Sequence, residues 1–297
     1  MLIKLAENFR ALFYAPFYAT QALGFYADEG VELRLLDSPA PGASIAGLLD
    51  GSIDVTWAGP MRVMKDREEH PPSGTSLQCF CEVVTRDPFF LVARIEAPGF
   101  SLADLRHLRL GSVIEVATPW LCLQQDLRDA GVDPDAVARV KDQGMQANLD
   151  ALRAGRLDVV QLFEPYVSVA HAEGFGRIVY AASERGPTAY TSLIATRDGV
   201  NRNRDAFAAM VRATARMQDW LAGHDADELA AAAAPFFPGV APALFLTALQ
   251  RYKQAGIWGA TPDISRAGFA RLGQSIQSGG FVKTIATYED CVAVIQR

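Results

Sequence analysis

Several short runs hold residues whose types and spacing suit ligand chemistry. Asn8-Phe9-Arg10-Ala11-Leu12-Phe13-Tyr14 sets a hydrogen-bonding amide and a cation among aromatic rings. Rings beside directional polar groups suit a flat polar ligand, and a surface loop with its rings packed inward would have the same composition. In Trp57-Ala58-Gly59-Pro60-Met61-Arg62, Gly59 allows close backbone approach and Pro60 suits the start of a helix. Trp57 then faces a cleft or caps the core beneath it, and Arg62 is as consistent with a solvated arginine as with a ligand contact.

Further along, Glu115-Val116-Ala117-Thr118-Pro119-Trp120 carries a helix start, with Thr118 as N-cap and Pro119 as first helical residue. Free N–H groups and the helix dipole there favour an anion or a carbonyl oxygen. Gln143 and Asn148 offer side-chain amides that could read a ligand edge. Glu164-Pro165-Tyr166 offers a carboxylate for an amino-bearing ligand, or a partner for a nearby arginine.

Sharper chemistries are missing. The four histidines (His70, His107, His171, His224) are scattered, without the spacing of a zinc site. There is no Gly-x-x-x-x-Gly-Lys-(Ser/Thr) loop and no Gly-x-Ser-x-Gly elbow. Four cysteines in 297 residues are too few for a disulfide scaffold, so neither a disulfide nor a structural metal is expected, and no cofactor. With 28 basic and 34 acidic residues the net charge is −6, which argues against nucleic acid as a partner. No run of ~18 apolar residues spans a bilayer. The start, Met1-Leu2-Ile3-Lys4-Leu5, lacks the pattern of a secretory signal, so the chain reads as cytoplasmic if Met1 is the true start.

The elements that must position these runs alternate. Strands are expected at Leu2–Glu7, Val31–Leu36 and Ile53–Trp57, with helices after Pro16 and at Ala43–Asp50, and a turn at Pro39-Ala40-Pro41-Gly42 between them. The rhythm restarts with strands at Leu108–Glu115, Val137–Lys141 and Leu157–Leu162, and helices from Thr118 and at Met145–Ala154. Three β-rich stretches, Leu77–Thr85, Phe89–Ala93 and Ala189–Ala195, flank the second unit. From Arg204 onward the pattern is helical: Asp205–Leu221, Ala226–Ala234, Ala241–Ala255 and Ser265–Ser278. This is the pattern of an α/β chain with largely parallel sheets. Leu48-Leu49-Asp50-Gly51-Ser52-Ile53-Asp54-Val55 lines up with Leu152-Arg153-Ala154-Gly155-Arg156-Leu157-Asp158-Val159, an internal repeat at an offset of 104 residues. Two similar α/β lobes follow from it.

The ordered set of Asn8–Phe17, Gly24–Val31, Leu49–Val55, Leu102–Leu105, Ala130–Pro134 and Glu164–Tyr166 resembles the NMT1/THI5-like, type II periplasmic-binding-protein-like family. That family includes substrate-binding proteins of the nitrate/sulfonate/taurine and thiamine-pyrimidine group. The resemblance implies a bilobed α/β fold with a ligand cleft between lobes: residues 1–90 plus 192–297 in one, 91–191 in the other. Crossings would lie near 90–92 and 190–192, which adds Tyr190 to the cleft. It implies a monomeric solute-binding protein that closes over a small polar (hetero)aromatic molecule for an ABC-type importer permease, in the periplasm. The alternative is a cytoplasmic enzyme of the same fold, a lyase or decarboxylase or one of pyrimidine metabolism, with Glu164 or Arg10 at work. The lysine and histidine of the family's fungal pyrimidine synthases correspond here to Ala58 and Arg62, which argues against that activity. Weighing Arg10 and the Thr118 helix start against Glu164, a neutral or mixed-donor ring is expected, with Trp57→Ala costing at least as much affinity as Arg10→Met.

Overall fold

The two aspartates of the internal repeat perform the same structural task. Asp54 Oδ2 accepts the N–H of Lys4 at 2.9 Å, and Asp158 Oδ2 accepts the N–H of Arg109 at 2.9 Å. Each also donates its own N–H back to the carbonyl of the same residue, at 2.9 and 3.0 Å. Each therefore pins the third strand of its unit to the first. The glycine three residues earlier, Gly51 or Gly155, adopts φ of +77° or +70°, the left-handed turn that ends the preceding helix without a Cβ penalty.

The computed structural model describes residues 1–38, 40, 42–94 and 99–296. Pro39 and Pro41 of the expected turn lie outside them. Among the described residues the strands are β1 (Leu2–Ala6), β2 (Glu32–Leu36), β3 (Val55–Ala58), β4 (Leu77–Val84), β5 (Phe90–Ala93), β6 (Arg109–Val113), β7 (Ala138–Gln143), β8 (Val159–Leu162), β9 (Arg177–Ala181) and β10 (Thr191–Thr196). They form two five-stranded sheets, ordered β2-β1-β3-β10-β4 and β7-β6-β8-β5-β9. In each, three strands run parallel, and one strand from beyond a crossing inserts antiparallel beside them: β10 against β3, β5 against β8. The fold is thus bilobed α/β, and the two sheets are topological copies. The chain passes from the first sheet to the second between Val84 and Phe90, and returns between Ala181 and Thr191.

Nine strands fall where the sequence places them. The tenth, β9, lies at a sheet edge with every residue partly exposed, so it carries no buried run to betray it. The helical tail, Arg204–Gly223, Ala226–Ala233, Pro242–Gln254 and Arg266–Ser278, matches its expected course. The four cysteines are buried thiols outside any disulfide. Among the described residues no helix is long and apolar enough to cross a membrane.

One buried group conflicts with its surroundings. Glu82 on β4 is fully buried; Oε2 accepts the Ser265 N–H at 3.1 Å, while Oε1 has no partner among the described residues. Burial pushes its carboxyl up to about 8. The unfolded chain loses this proton near the ordinary carboxylate range, so the stabilisation from neutral Glu82 is complete at acid pH and is lost as pH rises through about 8. Glu82→Gln keeps the neutral shape. Its melting temperature is expected to exceed that of the wild type by a margin that widens from pH 5 to pH 9. A margin independent of pH in scanning calorimetry would refute this.

Candidate functional site

A cavity of about 190 Å³ lies where the carboxyl ends of β1, β3 and β6 face one another. Open α/β sheets place ligands at such strand ends. The loop after β1 supplies Asn8, Phe9, Phe13 and Tyr14. Asn8 is nearly buried and its Oδ1 accepts the Gly42 N–H at 2.7 Å, which fixes the loop against the segment after β2. A short 3-10 turn, Leu12–Tyr14, then presents two rings before Pro16 enters the next helix. Burial pushes the Tyr14 hydroxyl up to about 12, so it stays protonated, with Asn8 and Thr191 as hydrogen-bonding neighbours.

From β3 the wall continues through Gly59, Met61 and Arg62, and from the start of β10 through Tyr190 and Thr191. The second sheet contributes Phe89 and the loop Ile114–Thr118, which runs into helix Thr118–Asp129. Phe281, from the far end of the chain, closes one side. The Thr118 hydroxyl donates to Met61 Sδ at 2.7 Å and so links the two units across the cavity.

The electrostatics of this wall are lopsided. Arg62 is half-buried and, among the described residues, has no hydrogen-bond or ion-pair partner. Its guanidinium lies against Gly42, where an added Cβ would come within 2.5 Å of it. Gly42 has φ of +86°, so backbone and neighbour both require glycine. Burial lowers the Arg62 pKa, and Tyr14 opposes that shift. Among the described residues the wall has one carboxylate, Glu115, whose Oε1 accepts the Met145 N–H at 2.8 Å, at the N-terminus of helix Met145–Arg153.

The structure brings Asn8, Phe9, Tyr14, Gly59, Thr118 and Tyr190 together in this wall. The remaining sequence candidates lie outside this lining. Trp57 is 1 % exposed and sits beneath the cavity, stacked on Phe17 at 4.7 Å and edge-on to Tyr18 at 5.2 Å. Arg10 turns away to pair with Glu7 at 3.2 Å and Asp37 at 2.6 Å. Glu164 is fully buried; it accepts the N–H and hydroxyl of Ser168 at 2.9 and 3.0 Å and pairs with Arg251. It holds structure together and is not free for a ligand in this cavity. Tyr166 stands 6.2 Å from Phe163, in the wall of another hollow that Arg10 and Glu164 also reach.

Pro60 immediately precedes helix Met61–Glu69, and Trp120 lies beneath Arg139, 4.1 Å from ring to guanidinium. Gln143 ends β7 outside the wall. Asn148 is fully buried and donates to the Ser112 carbonyl at 2.9 Å, bracing β6. Thr118 lines the cavity but does not cap: the N-cap position falls on Ala117, and the Thr118 hydroxyl is spent on Met61. Phe13 stood in the expected loop and Phe89 beside the first crossing, signals that could have found both. Nothing local marks Phe281.

A family model described as NMT1/THI5 like matches residues 13–227. The YtlA protein of Bacillus subtilis (strain 168) is 24% identical over 98% of this chain and 87% of its own length. The periplasmic aliphatic sulphonate binding protein SsuA of Escherichia coli superposes with a TM-score of 0.79 at 14% identity, covering 98% of this chain and 97% of that one. The ligand binding component of an ABC-type import system from Staphylococcus aureus gives 0.71 at 15% identity, covering 99% and 97%.

Trp57 at the base of the cavity acts through packing. Trp57→Ala is expected to destabilise the fold by about 3–5 kcal/mol, as large-to-small core changes do. Urea unfolding checks it. A loss below about 1 kcal/mol would mean that the ring does not support the core as its contacts indicate.

Proposed function

We propose, from the premise that this chain belongs to the NMT1/THI5-like family, that it is the substrate-binding protein of an ABC-type importer. In this reading the lobes are residues 1–90 with 192–297 and residues 91–191, closing on a small molecule held between them. The names of the Escherichia coli and Staphylococcus aureus proteins, which share the fold, support the transport role. The ligand is a compact molecule with one anionic group and a flat, (hetero)aromatic or short apolar body.

The single observation that carries this reading is Arg62: a half-buried cation without a partner among the described residues, in a wall whose one described carboxylate, Glu115, is bonded to the Met145 N–H instead. A guanidinium in partial desolvation binds a carboxylate or sulfonate through paired N–H donors. The first turn of helix Thr118–Asp129 adds unsatisfied N–H groups on the facing side. Phe9, Phe13, Tyr14 and Tyr190 surround the body of the ligand. Aromatic pairing adds about 0.5–1.5 kcal/mol beyond area for a ring.

A thermal-shift screen of small aromatic carboxylates, sulfonates and amino-heterocycles finds the ligand, because binding to the folded state alone raises the melting temperature. Calorimetry on variants then tests the site. Arg62→Met is expected to weaken binding about 10- to 100-fold, the range for a hydrogen bond to a charged group. Arg10→Met, whose guanidinium already has two carboxylates, should stay within about threefold. Equal effects of both variants, or binding confined to cationic compounds, would overturn the reading.

A further inference from the structure

On the other side of the loop that lines the cavity lies a second, larger hollow of about 360 Å³. Its wall is mostly apolar: Leu12, Phe163, Tyr166, Phe236, Phe237 and Val240. Its charged side chains are spoken for, Arg10 by Glu7 and Asp37, and Glu164 by Arg251 and Ser168. The loop divides between the two spaces: Asn8, Phe9, Phe13 and Tyr14 line the cavity, and the intervening Arg10, Ala11 and Leu12 line the hollow. What stands between them is a partition of rings. Phe163, buried and on the hollow's side, is stacked with Phe9 at 6.3 Å. It meets Phe13 edge-on at 5.4 Å and Phe89 at 5.2 Å, both of which line the cavity.

We infer that Phe163 is the residue that limits ligand length, and that the apolar hollow behind it is the space a longer ligand tail would occupy. The inference rests on the reading of the cavity as the ligand site. The chemistry of the two spaces is complementary: one holds a helix N-terminus and a cation without a partner among the described residues, the other an apolar wall whose described charges, Arg10 and Glu164, are paired. A molecule bridging both would be amphipathic, with an anionic head at Arg62 and a hydrocarbon or aryl tail between Leu12, Phe236 and Val240. In the wild type Phe163 keeps Phe9 in place and shuts that path, which selects short ligands. Replacing it by a small residue gives Phe9 room to turn aside and joins the hollows.

The test uses the linear alkanesulfonates from ethane- to octanesulfonate as probes, with calorimetry on the full chain. The wild type is expected to bind the short members and to gain nothing, or lose affinity, as the chain lengthens. Phe163→Ala should leave ethanesulfonate within about threefold and tighten octanesulfonate by more than tenfold, each methylene entering the freed space being worth about fourfold. Phe163→Leu, a gentler change, should shift the length optimum in the same direction by less. Adding Val240→Trp to Phe163→Ala refills the hollow without touching the cavity, and should restore the wild-type profile. A general loosening of the fold would not be reversed that way. If the wild type binds short members and both Phe163 variants keep its length profile, the inference fails and the site reading stands. If octanesulfonate already binds the wild type as tightly as ethanesulfonate, the partition does not exist. If the folded wild type binds no member of the series, the site reading fails and the inference with it.

Discussion

The two segments that run between the sheets are tied to each other by one buried arginine. Arg185, in the return segment, donates to Asp87 in the outgoing segment at 2.6 Å and also pairs with Asp126. Asp87 is fully buried, and its carboxyl is pushed up by desolvation despite the adjacent guanidinium. A buried ion leaves water at a cost of several kcal/mol, so neither partner is tolerable alone. This cluster therefore obliges both crossings to lie side by side. Arg86 adds a bond from the outgoing segment to the Ser183 carbonyl at 3.2 Å, and Arg271 of the helical tail reaches the Arg185 carbonyl. These contacts hold the two crossings, and with them the two sheets, in one relative placement.

The constraint reaches the cavity through a single helix. Asp126 lies in the last turn of Thr118–Asp129, whose first turn forms part of the cavity wall. Gln161 on β8 donates to the Pro119 carbonyl at 2.9 Å, so that end is also anchored to its own sheet. Ser278 of the tail is bonded to Gln125 at 2.7 Å and Arg128 at 3.2 Å, which braces the helix from the first-sheet side. At the opposite edge, Arg251 pairs with Glu164, and the Tyr252 hydroxyl accepts the Glu164 N–H at 2.9 Å. The tail helices thus clamp the second unit on both flanks. Glu164 serves that clamp, which accounts for its complete burial.

The fold was legible because its repeat is local. Leu, Gly, an apolar residue, Asp and Val within eight residues specify a helix end, a left-handed turn and a strand, and the Asp carboxylate finds its partner on the neighbouring parallel strand. The candidate site was legible only where it is equally local, in the loop from Asn8 to Tyr14. Charge was not. Whether an arginine is free depends on residues far away in sequence: Asp37 lies 27 positions from Arg10, and Arg251 lies 87 from Glu164. Sequence therefore leaves Arg10, Glu164 and Arg62 each open between a ligand contact and an ordinary role. The structure pairs Arg10 with Glu7 and Asp37 and Glu164 with Arg251, and gives Arg62 no hydrogen-bond or ion-pair partner among the described residues. Trp57 was ambiguous for another reason. All four residues of β3 are buried, so the alternation that separates a cleft face from a core face is absent.

A net charge of −6 does not oppose the anionic ligand proposed above, because the charge that matters at the cavity is local. Charges more than a Debye length away, about 8 Å at physiological ionic strength, are largely screened when they are solvent-exposed. Arg62 is half-buried at the wall itself, where the effective dielectric is lower and its interaction with a bound group is correspondingly stronger. Of the two acidic groups that the sequence sets nearby, Glu115 accepts the Met145 N–H at the N-terminus of helix Met145–Arg153, and Glu164 pairs with Arg251. Gly42 closes the argument from the other side. Its left-handed turn, held by the Asn8 side-chain oxygen Oδ1, leaves the guanidinium the room that a side chain would fill. The cation is thus positioned by backbone, and among the described residues no carboxylate pairs with it.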